Sequence, residues 1–332
     1  VANFDNGWAV IPAAGVGTRL QPHTHTTPKP LLHVAGKPIL AHILDEVVAL
    51  GIRNIALVVG YRADQIVAFV KENYSNCNVV PVLQDQPQGL AQAVFLTREW
   101  TDNAPLLIIY GDTVFECDLS SAIAMDSDGV IGVRKVEDPR RFGVVQMEGD
   151  QIVGLVEKPE TFVSDLAIVG INIIRDSARL FGCIEQMMRD DIRTRGEFQL
   201  TDAFNMMVQG GADLRVFSVE NWFDCGTAEA LLETNRHLLA RLSTPNVGEG
   251  SVLIPPVFVA ESAQVTHSIL GPNVSIGDGA VIENSRIQDS IVSEGARVVG
   301  CFLEQSLIGT HAVVEEAPRR FNVGDSSELC LL

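Results

Sequence analysis

Lysine is scarce in this chain. Among 332 residues it occurs only as Lys29, Lys37, Lys71, Lys135 and Lys158, so arginine supplies most of the 24 basic residues. The 42 acidic residues outweigh both and leave a formal net charge of −18. A surface of that sign repels nucleic-acid backbones and anionic lipid, so neither is an expected partner. A small polyanionic ligand would need a local basic pocket or a metal ion. No uninterrupted apolar run approaches the roughly 20 residues of a membrane-spanning helix, so no span is expected. The six cysteines form no C-x-x-C pair, which argues against a zinc or disulfide role and for reduced thiols in a cytoplasmic protein. Val1 to Gly7 carries Asp5 and lacks the basic-then-apolar pattern of a secretion signal.

Hydrophobic residues make up 46% of the chain, enough for a packed core. Two hydrophobic periods follow one another. Up to about residue 240, strand-like and helix-like segments alternate: Trp8 to Pro12, a helical series from Ile39 to Val48, Ile55 to Val59, Asn78 to Leu83, a helix over Leu90 to Trp100, and Leu106 to Tyr110. This β-α-β-α-β order predicts an α/β fold with a mostly parallel sheet. Phe142 to Met147 and Gln151 to Val156 flank a turn at Glu148-Gly149-Asp150, a hairpin. Leu231, Leu232, Leu238, Leu239 and Leu242 mark a closing helix. Residues 243–251 contain Pro245, Gly248 and Gly250, show no period and read as a linker between domains spanning 1–242 and 252–332.

After the linker, apolar residues recur every five or six positions: Ile254, Val259, Val265, Leu270, Ile276, Ile282, Ile287, Val292, Val298, Leu303, Ile308 and Val314. That is a hexapeptide repeat, which predicts a parallel β-helix of roughly four triangular coils rather than a sandwich, whose turns come every 8–12 residues.

Gly15-Val16-Gly17-Thr18-Arg19 follows the first strand. It has half of a dinucleotide fingerprint and no Walker lysine, so its value lies in backbone N–H groups that can approach an anion, with Arg19 beside them. Ten residues on, Thr27-Pro28-Lys29-Pro30 presents one lysine between two prolines on a stiff loop.

These segments, with Gly36-Lys37-Pro38, resemble the signature of sugar-1-phosphate nucleotidylyltransferases, and the resemblance continues in order. Gln84 and Gly89-Leu90-Ala91 match the base-reading segment, and Gly111-Asp112 the metal-binding strand end. Phe142-Gly143-Val144 and Glu157-Lys158-Pro159 match the sugar-phosphate segments. Gly170, Leu200-Thr201-Asp202 and Trp222-Phe223-Asp224-Cys225-Gly226-Thr227 complete the series. The resemblance is nearest to long glucose-1-phosphate thymidylyltransferases. It implies a Rossmann-like catalytic domain followed by a left-handed β-helix, and an NTP and a sugar-1-phosphate as substrates. It further implies Mg²⁺ on Asp112 and Asp224, Ala14, Gly15, Gly17, Gln84 and Gly89 around the nucleotide, and Gly143, Glu157, Lys158 and Gly170 around the sugar phosphate. Arg19, Lys29 and Lys158 would be the catalytic cations. Asn172 and Phe142 depart from the family pattern, which commonly has tyrosine at both positions, and Asn172 leaves the identity of the sugar open.

The chemistry agrees with the residue types. Phosphoryl transfer between two polyanions depends on positioning and charge neutralisation, and Mg²⁺ takes one or two carboxylates plus phosphate oxygens. Arg19 can fork onto a pyrophosphate, and Glu157 can accept from sugar hydroxyls. Lys37 reads as structural. His23, His25 and His33 lack partners at metal-ligand spacing. His267 and His311 raise an acetyltransferase alternative in the repeat region, which is short for that role. A guanylyl- or uridylyltransferase and a non-catalytic sugar-nucleotide-binding relative are the other readings. Flat β-helix faces favour self-association, so a homo-oligomer is expected.

Overall fold

In the computed structural model of the protein, which describes residues 4, 6–101, 103–242, 250–317, 323–324 and 326, the first apolar run is a central strand. The chain divides into two units, residues 1–32 with 37–234, and residues 33–36 with 235–332. Residues 243–249, most of the expected linker, lie outside the described residues, as does most of the chain after 317.

The first unit is built on a nine-stranded sheet. Strands β1 (Trp8–Pro12), β2 (Asn54–Val59), β3 (Asn78–Leu83) and β4 (Leu106–Ile109) lie in the order 3-2-1-4, all parallel. β1, β2 and β4 are nearly all apolar and buried because both faces are covered, whereas the edge strand β3 buries only Val82. A two-stranded ribbon pairs β5 (Thr113–Glu116) with β11 (Asn221–Asp224) outside this sheet. Strands β6 (Gly129–Lys135), β7 (Gly143–Glu148), β8 (Gln151–Glu157), β9 (Leu166–Ile174) and β10 (Leu214–Ser218) complete the sheet in its mixed half. β7 and β8 form the expected hairpin. β9 runs antiparallel to β4, β6 and β7, and its register shifts between Ile168 and Asn172. Gly170 sits in that bulge with φ +76°, and a Cβ there would come within 2.4 Å of the Tyr110 ring. Only glycine allows both.

Helix α1 (Ile39–Ala49) buries Ile39, Leu40, Ile43, Leu44 and Val47 and ends at Gly51, φ +85°, and α2 (Ala63–Asn73) buries Ile66 and Val70. Two later helices, α5 (Ser177–Arg189) and α6 (Leu200–Gln209), pack Leu180, Phe181 and Phe204 against Val10, Ile108 and Ile131. The single helix expected over Leu90 to Trp100 is two short ones, α3 (Leu90–Phe95) and α4 (Arg98–Thr101). Thr97 is the cause: its buried hydroxyl bonds the Val94 carbonyl at 2.7 Å, competing for an acceptor at the break. Lys37 pairs with Asp45, in keeping with a structural role.

Three parallel four-stranded sheets make the second unit a left-handed β-helix. Equivalent positions stack 16 or 17 residues apart, as in Leu253, Leu270, Ile287 and Leu303. Eleven of the twelve expected apolar positions lie in these three columns. The twelfth is Leu253 rather than Ile254, which is 41% exposed. Serines turn one corner: the N–H of Ser285 donates to Ser268 Oγ at 3.1 Å, and that of Cys301 to Ser285 Oγ at 3.1 Å. The residue before each (His267, Asn284, Gly300) has positive φ. No helix among the described residues is long and apolar enough to cross a membrane.

Candidate active site

Antiparallel pairing of the ribbon sets Asp224 opposite Thr113 in register, so Asp112, one residue earlier, lies beside Asp224 although 112 positions separate them. The Cys225 N–H holds the join by donating to the Asp112 carbonyl at 3.1 Å. Lys29 reaches the same point from its proline-bounded loop. Its ammonium is 2.5 Å from Asp112 Oδ2 and 3.9 Å from Asp224 Oδ1, and its side chain is 9% exposed. Arg19, on the 3₁₀ turn after Gly17, completes the cluster: a Cβ on Gly226 would come within 2.9 Å of both Arg19 Nη2 and Asp224 Oδ1. Burial and then the facing Asp112 carboxylate push the Asp224 carboxyl up, against the pull of Lys29, Arg19 and Arg141.

Two cavities open on this cluster. The smaller, about 260 Å³, is lined by Ala14, Gly15, Lys29, Gln84, Gly89 and Asp112, among others. Gly89 has φ +120°, and the Phe198 carbonyl oxygen lies 2.4 Å from where its Cβ would be, so a side chain would push these two backbone segments apart. Gly17, with φ +70°, lies against Thr24 and the wall residue Lys29. The larger cavity, about 450 Å³, is lined by Arg19, Gly143, Glu157, Lys158, Gly170 and Asp224, among others. Asp112, Tyr110, Leu90 and Glu197 line both. Every residue expected at the site is thus in one of the two walls or, for Gly17, against the wall residue Lys29.

Glu157 is held rigidly in the larger cavity. Thr201 Oγ1 donates to its Oε2 at 2.7 Å, and Lys158 Nζ lies 3.2 Å from its Oε1. A Cβ on Gly143 would meet Thr201 Oγ1 at 2.5 Å and Glu157 Oε2 at 2.9 Å, so glycine is needed for this approach. Lys158 itself has φ +45°, a left-handed conformation that costs on the order of 1–3 kcal/mol in a non-glycine residue.

Sequence reasoning missed Arg141, Glu197 and Gln199 in this wall, and the contact of Thr201 with Glu157. Arg141 adjoins the Phe142-Gly143 segment, but it follows a second arginine, Arg140, which pairs with Asp138 instead. Phe142 packs edge-on against Trp222 with centroids 5.2 Å apart. Asn172 is fully buried, flanked in register by Ile108 and Ile131, and neither of its amide atoms has a partner; Ile168, Val169 and Gly170 form the wall instead.

The donor set suits a hard cation that shares its shell with substrate. Two carboxylates converge, and among the described residues no group of three or more His, Cys, Asp or Glu could form a dedicated cage. Cys225, beside Asp224, is turned away: it is fully buried, contacts Thr234 at 3.5 Å, and burial pushes its thiol up to about 12. No disulfide links the described cysteines.

Comparison with known proteins agrees with this geometry. The sequence profile of the nucleotidyl transferase family matches residues 8–241. A glucose-1-phosphate thymidylyltransferase of Streptomyces griseus is 34% identical, with 96% of this chain and 98% of that protein covered. One of Streptomyces antibioticus is 31% identical, covering 97% and 98%. A bifunctional GlmU protein of Methanococcus maripaludis is 31% identical over 83% of this chain and 61% of its own length. A crystal structure of a Bacillus anthracis protein assigned as a glucose-1-phosphate thymidylyltransferase, with a sucrose, superposes with a TM-score of 0.62 at 28% identity, covering 73% of this chain and 98% of that one. The chain belongs to the nucleotidyl transferase family.

Proposed function

We propose that the protein is a glucose-1-phosphate thymidylyltransferase that requires Mg²⁺ and also accepts UTP. One observation carries this reading: Asp112 lies in the wall of two adjoining cavities and is joined there by Asp224, Lys29 and Arg19. Two polyanions bound one in each cavity would present their phosphates to one cluster. The relatives that match along nearly their whole length supply the substrate class.

In the proposed reaction an oxygen of the sugar phosphate attacks the α-phosphorus of the nucleotide. The bond from that phosphorus to the bridging oxygen of the β-phosphate breaks, and pyrophosphate leaves with the electron pair. Asp112 and Asp224 are the residues that would hold Mg²⁺, which when bound supplies charge neutralisation to phosphate oxygens. Lys29 and Arg19 hold the nucleotide phosphates, and Arg19 can fork onto the departing pyrophosphate. Lys158 takes the sugar phosphate. Glu157, fixed by Thr201, accepts from sugar hydroxyls.

We assign catalysis to residues 1–242 and infer a cytoplasmic homo-oligomer. An exposed column on one β-helix face supports self-association: Val252, Ile269 and Phe302, which is 77% exposed, stack in register with Arg286. Pyrophosphate release from each NTP with a panel of sugar-1-phosphates tests the substrate reading. The expected order is dTTP, then UTP, with glucose-1-phosphate, and no release in EDTA. Faster release from GTP with mannose-1-phosphate would overturn it.

A further inference from the structure

Gln84 follows β3 and is 6% exposed, yet it lines the smaller cavity. Its side-chain amide is held from behind. Nε2 donates to Gln92 Oε1 at 2.5 Å and to the Gly89 carbonyl at 3.4 Å. Gln92, on α3 and 9% exposed, is not in the cavity wall. Its Oε1 also accepts the Gln88 backbone N–H at 3.4 Å.

Two immovable backbone groups therefore set the direction of both amides. A backbone N–H can only donate, so the Gln92 atom facing Gln88 is its oxygen. The Gln84 atom facing that oxygen must then be the nitrogen. The Gly89 carbonyl, which can only accept, demands the same orientation independently. Turning the Gln84 amide over would place its oxygen against two acceptors at once. With both Nε2 hydrogens engaged inside the protein, Gln84 offers the cavity one kind of group, the acceptor Oε1.

We propose that Gln92 is a positioning residue that locks the Gln84 amide with its oxygen toward the bound base, so that the site selects a base presenting a ring N–H and refuses one presenting a bare ring nitrogen. Thymine and uracil carry that N–H at N3, whereas cytosine has a lone pair there. The inference rests on the smaller cavity being the nucleotide site, and it gives a direction to the base-reading role that the resemblance implies for Gln84.

The test compares the full-length wild type with Gln92→Leu and Gln92→Glu, measuring kcat and KM for pyrophosphate release from dTTP and from dCTP at saturating glucose-1-phosphate. Leucine fills the space without an acceptor and frees the Gln84 amide to turn. The dTTP-to-dCTP ratio of kcat/KM is expected to fall by about one to two orders of magnitude, mostly in KM. Glutamate keeps an acceptor facing Gln84 Nε2 and the Gln88 N–H, so the ratio should stay within about threefold of the wild type. A Gln92→Leu enzyme that keeps the wild-type ratio overturns the proposal. So does an equal loss with both nucleotides, which packing alone would give, or a Gln92→Glu enzyme that discriminates as poorly as the leucine variant. Failure of the underlying substrate reading shows itself earlier, as a wild type that uses neither nucleotide and turns over a purine triphosphate.

Discussion

In the α/β unit the groups that meet are an arginine, a lysine and two aspartates from positions 19, 29, 112 and 224, each brought by a separate segment of the chain. In the β-helix the groups that meet are 16 or 17 residues apart and nearly alike, as in Val265, Ile282, Val298 and Val314. One unit assembles a single site from unlike parts. The other repeats one contact until it makes a rod-like core. Loss of one part should therefore abolish function in the first unit and cost only local packing in the second.

The largest effect is expected at the carboxylate pair. Asp112→Asn and Asp224→Asn each keep the side-chain shape and remove one charge, and each should lower pyrophosphate release by roughly three orders of magnitude at saturating Mg²⁺. Circular dichroism should be unchanged. Near-normal turnover in both would remove the contrast and the mechanism with it.

Next comes the β-helix core. Ile282 is fully buried between Val265 and Val298, so Ile282→Ala should destabilise that unit by about 2–5 kcal/mol. Denaturant unfolding followed at the β-helix reads this. Turnover per folded molecule should not change; a proportionate loss would show that the repeat contributes to chemistry.

Smaller still is the serine corner. Ser285→Ala leaves the buried Cys301 N–H without its acceptor, at a cost of about 1–3 kcal/mol. Ser285→Cys should recover part of it, because Cys301 already fills the equivalent corner with Sγ 3.1 Å from the Val299 carbonyl.

The smallest effect is a pH dependence at His33, which packs with the second unit. Burial lowers its pKa below the ordinary value, with Glu294 and Asp278 pulling it back. The unfolded chain therefore binds a proton that the folded chain resists, so stability falls as pH drops through about 6.5 toward the lower folded value. His33→Gln should flatten that stretch of the stability–pH curve. An unaltered slope would assign the dependence to other groups.

The contrast also decides what could be read beforehand. Periodicity displays the β-helix directly, because each inward residue must be apolar at a fixed step; the one slip, Ile254 for Leu253, falls in the first coil. In the α/β unit the strands and the glycine-bounded loops were legible because close approach demands glycine and phosphate binding favours a presented lysine. Arg141 was not, since nothing in Arg140-Arg141 tells which faces Asp138 and which the cavity. Gln92 was hidden for another reason: its role is to orient Gln84, and an orientation exists only once both amides are placed. The break at Thr97 depends on a hydroxyl choosing the Val94 carbonyl over water, which hydrophobic period does not register.

The stacking rule of the β-helix has a consequence for how its length can change. Each coil offers its neighbour the same three inward positions, and serines or Cys301 recur at its corners. Excision of one whole coil would join like surfaces, and duplication of one would do the same. A one-residue deletion inside a strand turns that strand's inward residues outward, and only the turns absorb such a difference, as the coils of 16 and 17 residues show. Length in this unit is thus quantised, and viable insertions and deletions within it should come in steps of one coil.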